Sequence, residues 1–263
     1  MLSLLAAPKL VGGFCEIEPT TSTSVSNMTT NDEFAGLTLQ GVAPSLSLAQ
    51  FKLIAFDMDS TLINIECIDE IADAVGLKAE VAAITEATMR GEITDFKTSL
   101  RRRVALLKGV TIQDLERVYV ERLQLNPGAD VLVSACKKAG MKVLLVSGGF
   151  TFFANRVAHR LGIDYAKSNE LEIDDGVLTG GLVHQSWGDI CDGDEKRKTV
   201  LDTCASLGIT ANQCIAVGDG ANDLPMMGVA GLSVAYHAKP KVREQAMVAI
   251  NAGGLDRLLE VLV

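Results

Sequence analysis

Three short apolar runs, residues 53–56, 143–146 and 215–217, limit what this chain can fold into. Each is unbroken rather than alternating, the pattern of a strand covered on both faces, as in a parallel sheet. Each also stops at groups that carry chemistry. Asp57 and Asp59 follow the first, Ser147-Gly148-Gly149 the second, and Asp219-Gly220-Ala221-Asn222-Asp223 the third. In an open α/β sheet, reactive groups belong just beyond the carboxyl ends of the strands. If the three runs lie side by side, their acids, hydroxyl and flexible backbone converge.

From Phe51 onward strand and helix signals alternate, which predicts an α/β fold: a Rossmann-like, mostly parallel sheet with helices on both faces. Residues 64–127 break that rhythm with helical patterns only, at 67–75, 80–89, 95–107 and 112–123. Thr94 or Asp95 suits the N-cap of the third, and Thr111 with Asp114 that of the fourth. A helical insert straight after the first strand has the form of a cap over the strand ends. A run of helices packed on one sheet face is the alternative. The expected division is therefore a core at 49–63 and 128–263, a helical cap at 64–127 and a mostly disordered extension at 1–48. Within that extension, residues 18–32 are too polar to pack. Initiation at Met28 and a targeting segment both fit residues 1–27. Helices at 129–139, 152–161 and 195–207, strands at 232–235 and 248–250, and a β-hairpin about Asp174-Asp175-Gly176 complete the pattern.

A net charge of −9 argues against nucleic acid or a membrane surface as partner. No apolar run approaches the roughly 20 residues of a membrane span. Six scattered cysteines without a C-x-x-C pair suggest reduced structural thiols and a cytoplasmic protein. His159, His184 and His237 are isolated and receive no role.

Two carboxylates two positions apart can divide nucleophilic and proton-transfer work. At a strand end, one of Asp57 and Asp59 can attack or hold a metal while the other moves a proton. A lone D-x-D is equally a strand running into a turn; the apolar strand before it and Ser60-Thr61 after it favour chemistry. Ser147 and the amide of Gly148 can donate hydrogen bonds to an anion. Acids gathered at one point need cations. Lys196, Arg197 and Lys198 supply candidates, and hard oxygen donors select Mg²⁺.

D-M-D-S-T at 57–61, I-N-I-E-C-I-D-E at 63–70, V-S-G-G-F at 146–150 and G-D-G-A-N-D at 218–223 together resemble the haloacid dehalogenase-like phosphohydrolases, over roughly residues 50–255. Within that family they look like the members acting on O-phosphoserine. The resemblance implies Mg²⁺-dependent hydrolysis to serine and phosphate through an aspartyl-phosphate on Asp57, with Asp59 protonating the leaving oxygen and then deprotonating water, as the last step of serine biosynthesis, with a small phospho-amino acid as partner. It also implies a cap at the insert. Asp57, the carbonyl of Asp59 and Asp219 would hold the metal, with Asp223 behind them. Ser147, Gly148, Lys196 and Asn222 would bind the phosphoryl group, with Lys198 as the alternative lysine. Glu66, nine residues after Asp57, matches the ligand for the substrate ammonium, and Arg103 the one for its carboxylate. Met89 and Phe96 would wall the pocket. Three consecutive helical residues fan over about 200°, so Arg101, Arg102 and Arg103 cannot all face one pocket. Two rivals remain. A phosphatase or phosphotransferase for a related compound such as phosphohomoserine would use the same intermediate. A receiver-like signalling domain would lack the acid at position 59.

Overall fold

A computed structural model describes residues 35–263, apart from 91, 94 and 189. The expectations for residues 1–34, including Cys15, and for Thr94 as a cap lie outside the described residues. Strands β1 (Leu37–Leu39) and β2 (Leu53–Phe56) come first. Four helices follow: α1 (Cys67–Ala74), α2 (Lys78–Met89), α3 (Phe96–Leu106) and α4 (Ile112–Glu121). Next come α5 (Ala129–Lys138), β3 (Lys142–Phe150), α6 (Thr151–Leu161) and β4 (Tyr165–Asn169). The hairpin β5 (Leu171–Asp174) and β6 (Val177–Leu182) leads to α7 (Gly193–Ser206) and β7 (Cys214–Gly218). The chain closes with α8 (Leu224–Met227), β8 (Leu232–Tyr236), α9 (Pro240–Arg243) and β9 (Val248–Ile250).

Seven strands form one sheet in the order β1-β9-β8-β7-β2-β3-β4, parallel throughout except for β1 against β9. Its centre follows from composition. Ile54 and Phe56 enter one hydrophobic layer while Leu53 and Ala55 enter the other, and all four are fully buried. Val143 and Leu145 against Leu144 and Val146 repeat the split on β3, as do Ile215 and Val217 against Cys214 and Ala216 on β7. Alternate side chains leave a strand on opposite faces, so an unbroken apolar run feeds two cores at once.

The registers bring the reactive strand ends level. Phe56 pairs with Leu145 on one side and Val217 on the other. The order of strand addition switches sides at β2, with β3 and β4 to one side and β7, β8 and β9 to the other, which makes this the crevice position of an α/β sheet.

The helices after β2 pack on one another, α1 on α2 and α4, and α2 on α3. Asp95 caps α3 by accepting the amides of Lys97 and Thr98, and Thr111 with Asp114 forms a reciprocal capping box on α4. The hairpin is clasped to this group by backbone bonds: Gly109 N–H to Leu178 C=O at 2.9 Å, Leu178 N–H to Val110 C=O at 2.8 Å and Ile112 N–H to Gly176 C=O at 3.0 Å.

Three features depart from the sequence reading. Residues 37–39, assigned to the extension, form the edge strand β1; Leu-Thr-Leu is too short to declare itself and is held by pairing with β9. β4 is polar, Tyr-Ala-Lys-Ser-Asn, and exists because β3 offers it an edge. Helix α7 starts at Gly193, before the expected Glu195, because Asp192 caps it by accepting the Glu195 amide at 2.9 Å.

Candidate active site

Asp57 leaves β2 in extended conformation, its amide still bonded to Val217 C=O at 3.0 Å and its residue 4% exposed. The next five residues form a tight loop closed by Ile63 N–H to Met58 C=O at 3.1 Å. Inside it Ser60 takes φ +58°, a left-handed conformation unusual for a residue with a side chain. That turn sends the Ser60 hydroxyl to Glu66 Oε1 at 2.7 Å. It also turns Asp59 onto the start of α1, where the Cys67 amide donates to Oδ2 at 3.1 Å and the Cys67 thiol to Oδ1 at 3.2 Å. Burial, then Glu66, raises the Asp59 carboxyl to about 7 against the pull of those two bonds.

Lys196 reaches the same point from α7. Its ammonium is fully buried and donates to Asp57 Oδ1 at 2.5 Å and Asp223 Oδ1 at 2.6 Å. Burial alone would favour the neutral amine; the two carboxylates outweigh it and keep the lysine charged. Lys198, two residues on, is exposed and pairs with Asp202 at 3.0 Å. The structure thus brings Lys196 into the cluster and leaves Lys198 outside it.

Asp57, Asp219 and Asp223 each present an oxygen within 4.8 Å of the others. Three carboxylates face one ammonium, so the cluster is two positive charges short. Burial and the neighbouring acids both act on these carboxyls. Burial, then Asp223, pushes the Asp57 carboxyl up while Lys196 pulls it down, and burial, then Asp223, raises Asp219 to about 7. An all-oxygen set with that deficit fits a hard divalent cation. Asp223 is already committed: its second oxygen accepts the amides of Asp219 at 3.2 Å and Gly220 at 3.0 Å. This leaves Asp57 and Asp219 as the freer ligands.

Ser147 is fully buried within β3, just past the stretch paired with β2, and its Oγ accepts the Gly149 amide at 2.8 Å, which leaves the hydroxyl proton to donate elsewhere. A Cβ on Gly148 would lie 3.3 Å from Phe96 Cζ and 3.4 Å from the Cys191 carbonyl, so a side chain there would crowd both.

Most of these groups line a cavity of about 450 Å³; Lys196 and Asp223 stand outside its lining, bonded to Asp57 and Asp219 respectively. Asp57, Asp59, Ser147, Gly148, Asp219 and Asn222 form the wall at the strand ends, and Glu66, Phe96 and Arg103 face them from the helical insert. Glu66 is the N-cap residue of α1. Arg103 Nε is buried without a hydrogen-bond partner among the described residues, a donor aimed at something other than protein. Burial lowers the Arg103 pKa, with Asp69 and Glu66 opposing. Arg101 and Arg102 are exposed. Met89 ends α2, and its side chain lies outside the described residues. None of the three histidines lines the cavity.

Sequence reasoning missed Asp69, Thr85 and Lys239, which also line it. Asp69 was within reach of the sequence, since it stands three residues after Glu66 at the start of the same helix. Lys239 carries no such signal. It precedes α9, a four-residue helix, and turns to the cavity only because its amide bonds Asp219 C=O at 3.3 Å.

Comparison with known proteins adds a second line of support. The pattern of the haloacid dehalogenase-like hydrolases matches residues 54–228. A phosphoserine phosphatase of a Polaromonas species is 71% identical over 86% of this chain and 96% of its own length. One from Albidiferax ferrireducens is 72% identical over 86% and 95%. Among solved structures, a phospho-aspartyl intermediate analogue of phosphoserine phosphatase superposes with TM-score 0.73 at 39% identity, over 81% of this chain and 99% of the other. A substrate-bound phosphoserine phosphatase complex does so with TM-score 0.74 at 38% identity, over 81% and 99%. With a parallel sheet whose central strand ends in Asp57 and Asp59, and with relatives this close, the chain belongs to the haloacid dehalogenase-like hydrolases.

Proposed function

We propose that this chain hydrolyses O-phosphoserine to serine and phosphate with Mg²⁺, through an aspartyl-phosphate on Asp57, as the last step of serine biosynthesis. The observation that carries the reading is the cavity itself. A lysine-held aspartate and a second acid occupy one wall, and an acid with an unpartnered arginine face them. The first pair suits a phosphoryl group; the second suits the ammonium and carboxylate of an amino acid. The names of the relatives point the same way.

In this reading helices α1–α4 act as a cap and supply selectivity, while the sheet supplies chemistry. Asp57 Oδ attacks phosphorus, and the bond to the serine oxygen breaks. Lys196, Ser147 and the Gly148 amide balance the charge on the phosphoryl oxygens. Asp59, whose raised pKa keeps a proton available near neutrality, protonates the departing serine oxygen. The resulting carboxylate then takes a proton from the water that cleaves the acyl phosphate. Asp57, Asp219 and the Asp59 carbonyl would hold Mg²⁺, which neutralises charge on the phosphoryl group.

The test is a panel of phosphate esters assayed with Mg²⁺ and with chelator: phosphoserine, phosphothreonine, phosphohomoserine and a sugar phosphate. Phosphoserine should have the highest kcat/KM, and chelation should abolish turnover. Faster turnover of the sugar phosphate would reject the substrate assignment.

A further inference from the structure

Asn169 lies at the end of β4, away from the cavity lining, and has no exposed surface. Both ends of its amide are engaged. Nδ2 donates to the Gly148 carbonyl at 2.7 Å, and Oδ1 accepts the Cys191 amide at 2.6 Å. Those two partners fix which end is which, because a carbonyl can only accept and a backbone amide can only donate.

The Gly148 bond has a structural reason. β3 and β4 are in register at Val146–Lys167 and again at Phe150–Asn169, four steps on one strand against two on the other. The two extra residues bulge out of the ladder at Ser147-Gly148-Gly149, where buried backbone groups need partners from outside the strand pair. The Cys191 bond ties the same amide to the segment that enters α7, five residues before Lys196.

We propose that Asn169 is a positioning residue for the phosphoryl group: it sets the Gly148 peptide, and so the Ser147–Gly148 donor pair, and locks that pair to the segment that delivers Lys196. The proposal rests on the reading of Ser147 and Gly148 as phosphoryl donors. Asn169 touches no reacting atom and acts through these neighbours.

The test compares Asn169→Asp and Asn169→Ala with the parent chain, all with Mg²⁺. The aspartate is nearly isosteric and keeps an acceptor for Cys191, but places an oxygen where Gly148 needs a donor. Affinity for orthovanadate, a phosphoryl mimic, should fall about ten- to thirtyfold in both variants. The value of kcat/KM should fall by a similar factor for phosphoserine and for an ester lacking the amino-acid part. Inhibition by L-serine, which reads the opposite wall, should stay within about twofold, a split that general loosening of the fold would not give. Vanadate affinity within twofold of the parent, or a parallel loss of L-serine affinity, overturns the proposal. So does failure of both variants to fold, because the amide would then serve the sheet. Ser147→Ala run alongside separates the two readings: if it leaves vanadate affinity unchanged, the donor assignment fails before the role of Asn169 is reached.

Discussion

Lys196 Nζ lies 2.5 Å from Asp57 Oδ1, an ion pair that joins residues 139 positions apart and leaves the lysine no exposed surface. It holds the Asp57 carboxylate in place and sets a buried positive charge between Asp57 and Asp223. Removing it leaves buried carboxylates facing each other, a change that typically costs about 3–5 kcal/mol. Lys196→Met should therefore lower the denaturation midpoint sharply and abolish turnover. Lys198→Ala, which breaks only an exposed pair with Asp202, should leave turnover within about twofold. Denaturant titration and kcat of the two variants check this; equal effects would reject the assignment of Lys196.

Asp57→Asn should prevent phosphoenzyme formation, because an amide keeps the shape but is a poor nucleophile. Acid-quenched protein incubated with labelled phosphoserine should carry no acyl phosphate. Asp59→Asn should keep the nucleophile and lose the proton, so turnover of phosphoserine falls about 10²–10⁴-fold. An aryl phosphate, whose leaving group needs less protonation, should suffer much less. Equal losses on the two substrates would remove Asp59 from the acid role.

Glu66→Gln and Arg103→Ala should spare phosphoryl chemistry and damage recognition. Loss of a charged hydrogen-bond partner costs about 1.5–3 kcal/mol, or roughly ten- to a hundredfold in kcat/KM for phosphoserine. An ester without amine or carboxylate should change little. Parallel losses on both would show that the insert does not read the amino acid.

The charge deficit of the carboxylate cluster predicts linkage between metal and stability. Mg²⁺ at about 100 times its Kd should add about 2.7 kcal/mol to unfolding free energy. Asp219→Asn should remove most of that increment while leaving the chelated protein folded. Thermal melts with Mg²⁺ and with chelator measure both.

Asp114 offers a pH test remote from the cavity. Its bonds from the Thr111 hydroxyl and amide hold its carboxyl below the usual range. A depressed folded pKa gives stability that is present above the ordinary carboxylate pKa and lost as pH falls through the folded value. Asp114→Ala should cost about 1 kcal/mol at neutral pH, and the gap to the parent chain should close in strong acid. A gap that persists below about pH 2 would mean that packing, rather than the charged cap, supplies it.

Much of the site was legible because its signals are local. An unbroken apolar strand followed by acids announces Asp57, Asp59 and Asp219, and the Asp95 and Thr111 caps follow from helix-end chemistry. What was hidden depends on neighbours. From their place on the helix alone Lys196 and Lys198 have equal claims, and the packing of α7 against β3 and α8 buries one and leaves the other exposed. β1 and β4 are strands because an adjacent edge recruits them. Asn169 reads as a turn residue, and Lys239 as a surface lysine, until the sheet brings their partners alongside.

The hairpin clasp bears on how the cavity is reached. Chain continuity ties α1–α4 to the sheet at two crossings that run side by side, where Ile63 bridges Leu125. Two adjacent tethers would make a door hinge. The bonds between residues 109–112 and the β5–β6 hairpin add a third anchor elsewhere on the group, so a rigid swing would have to break three backbone bonds or drag β5 and β6 along. Any opening of the cavity by these helices would therefore have to come from bending within the insert, away from the clasp, with the α3–α4 junction held in place.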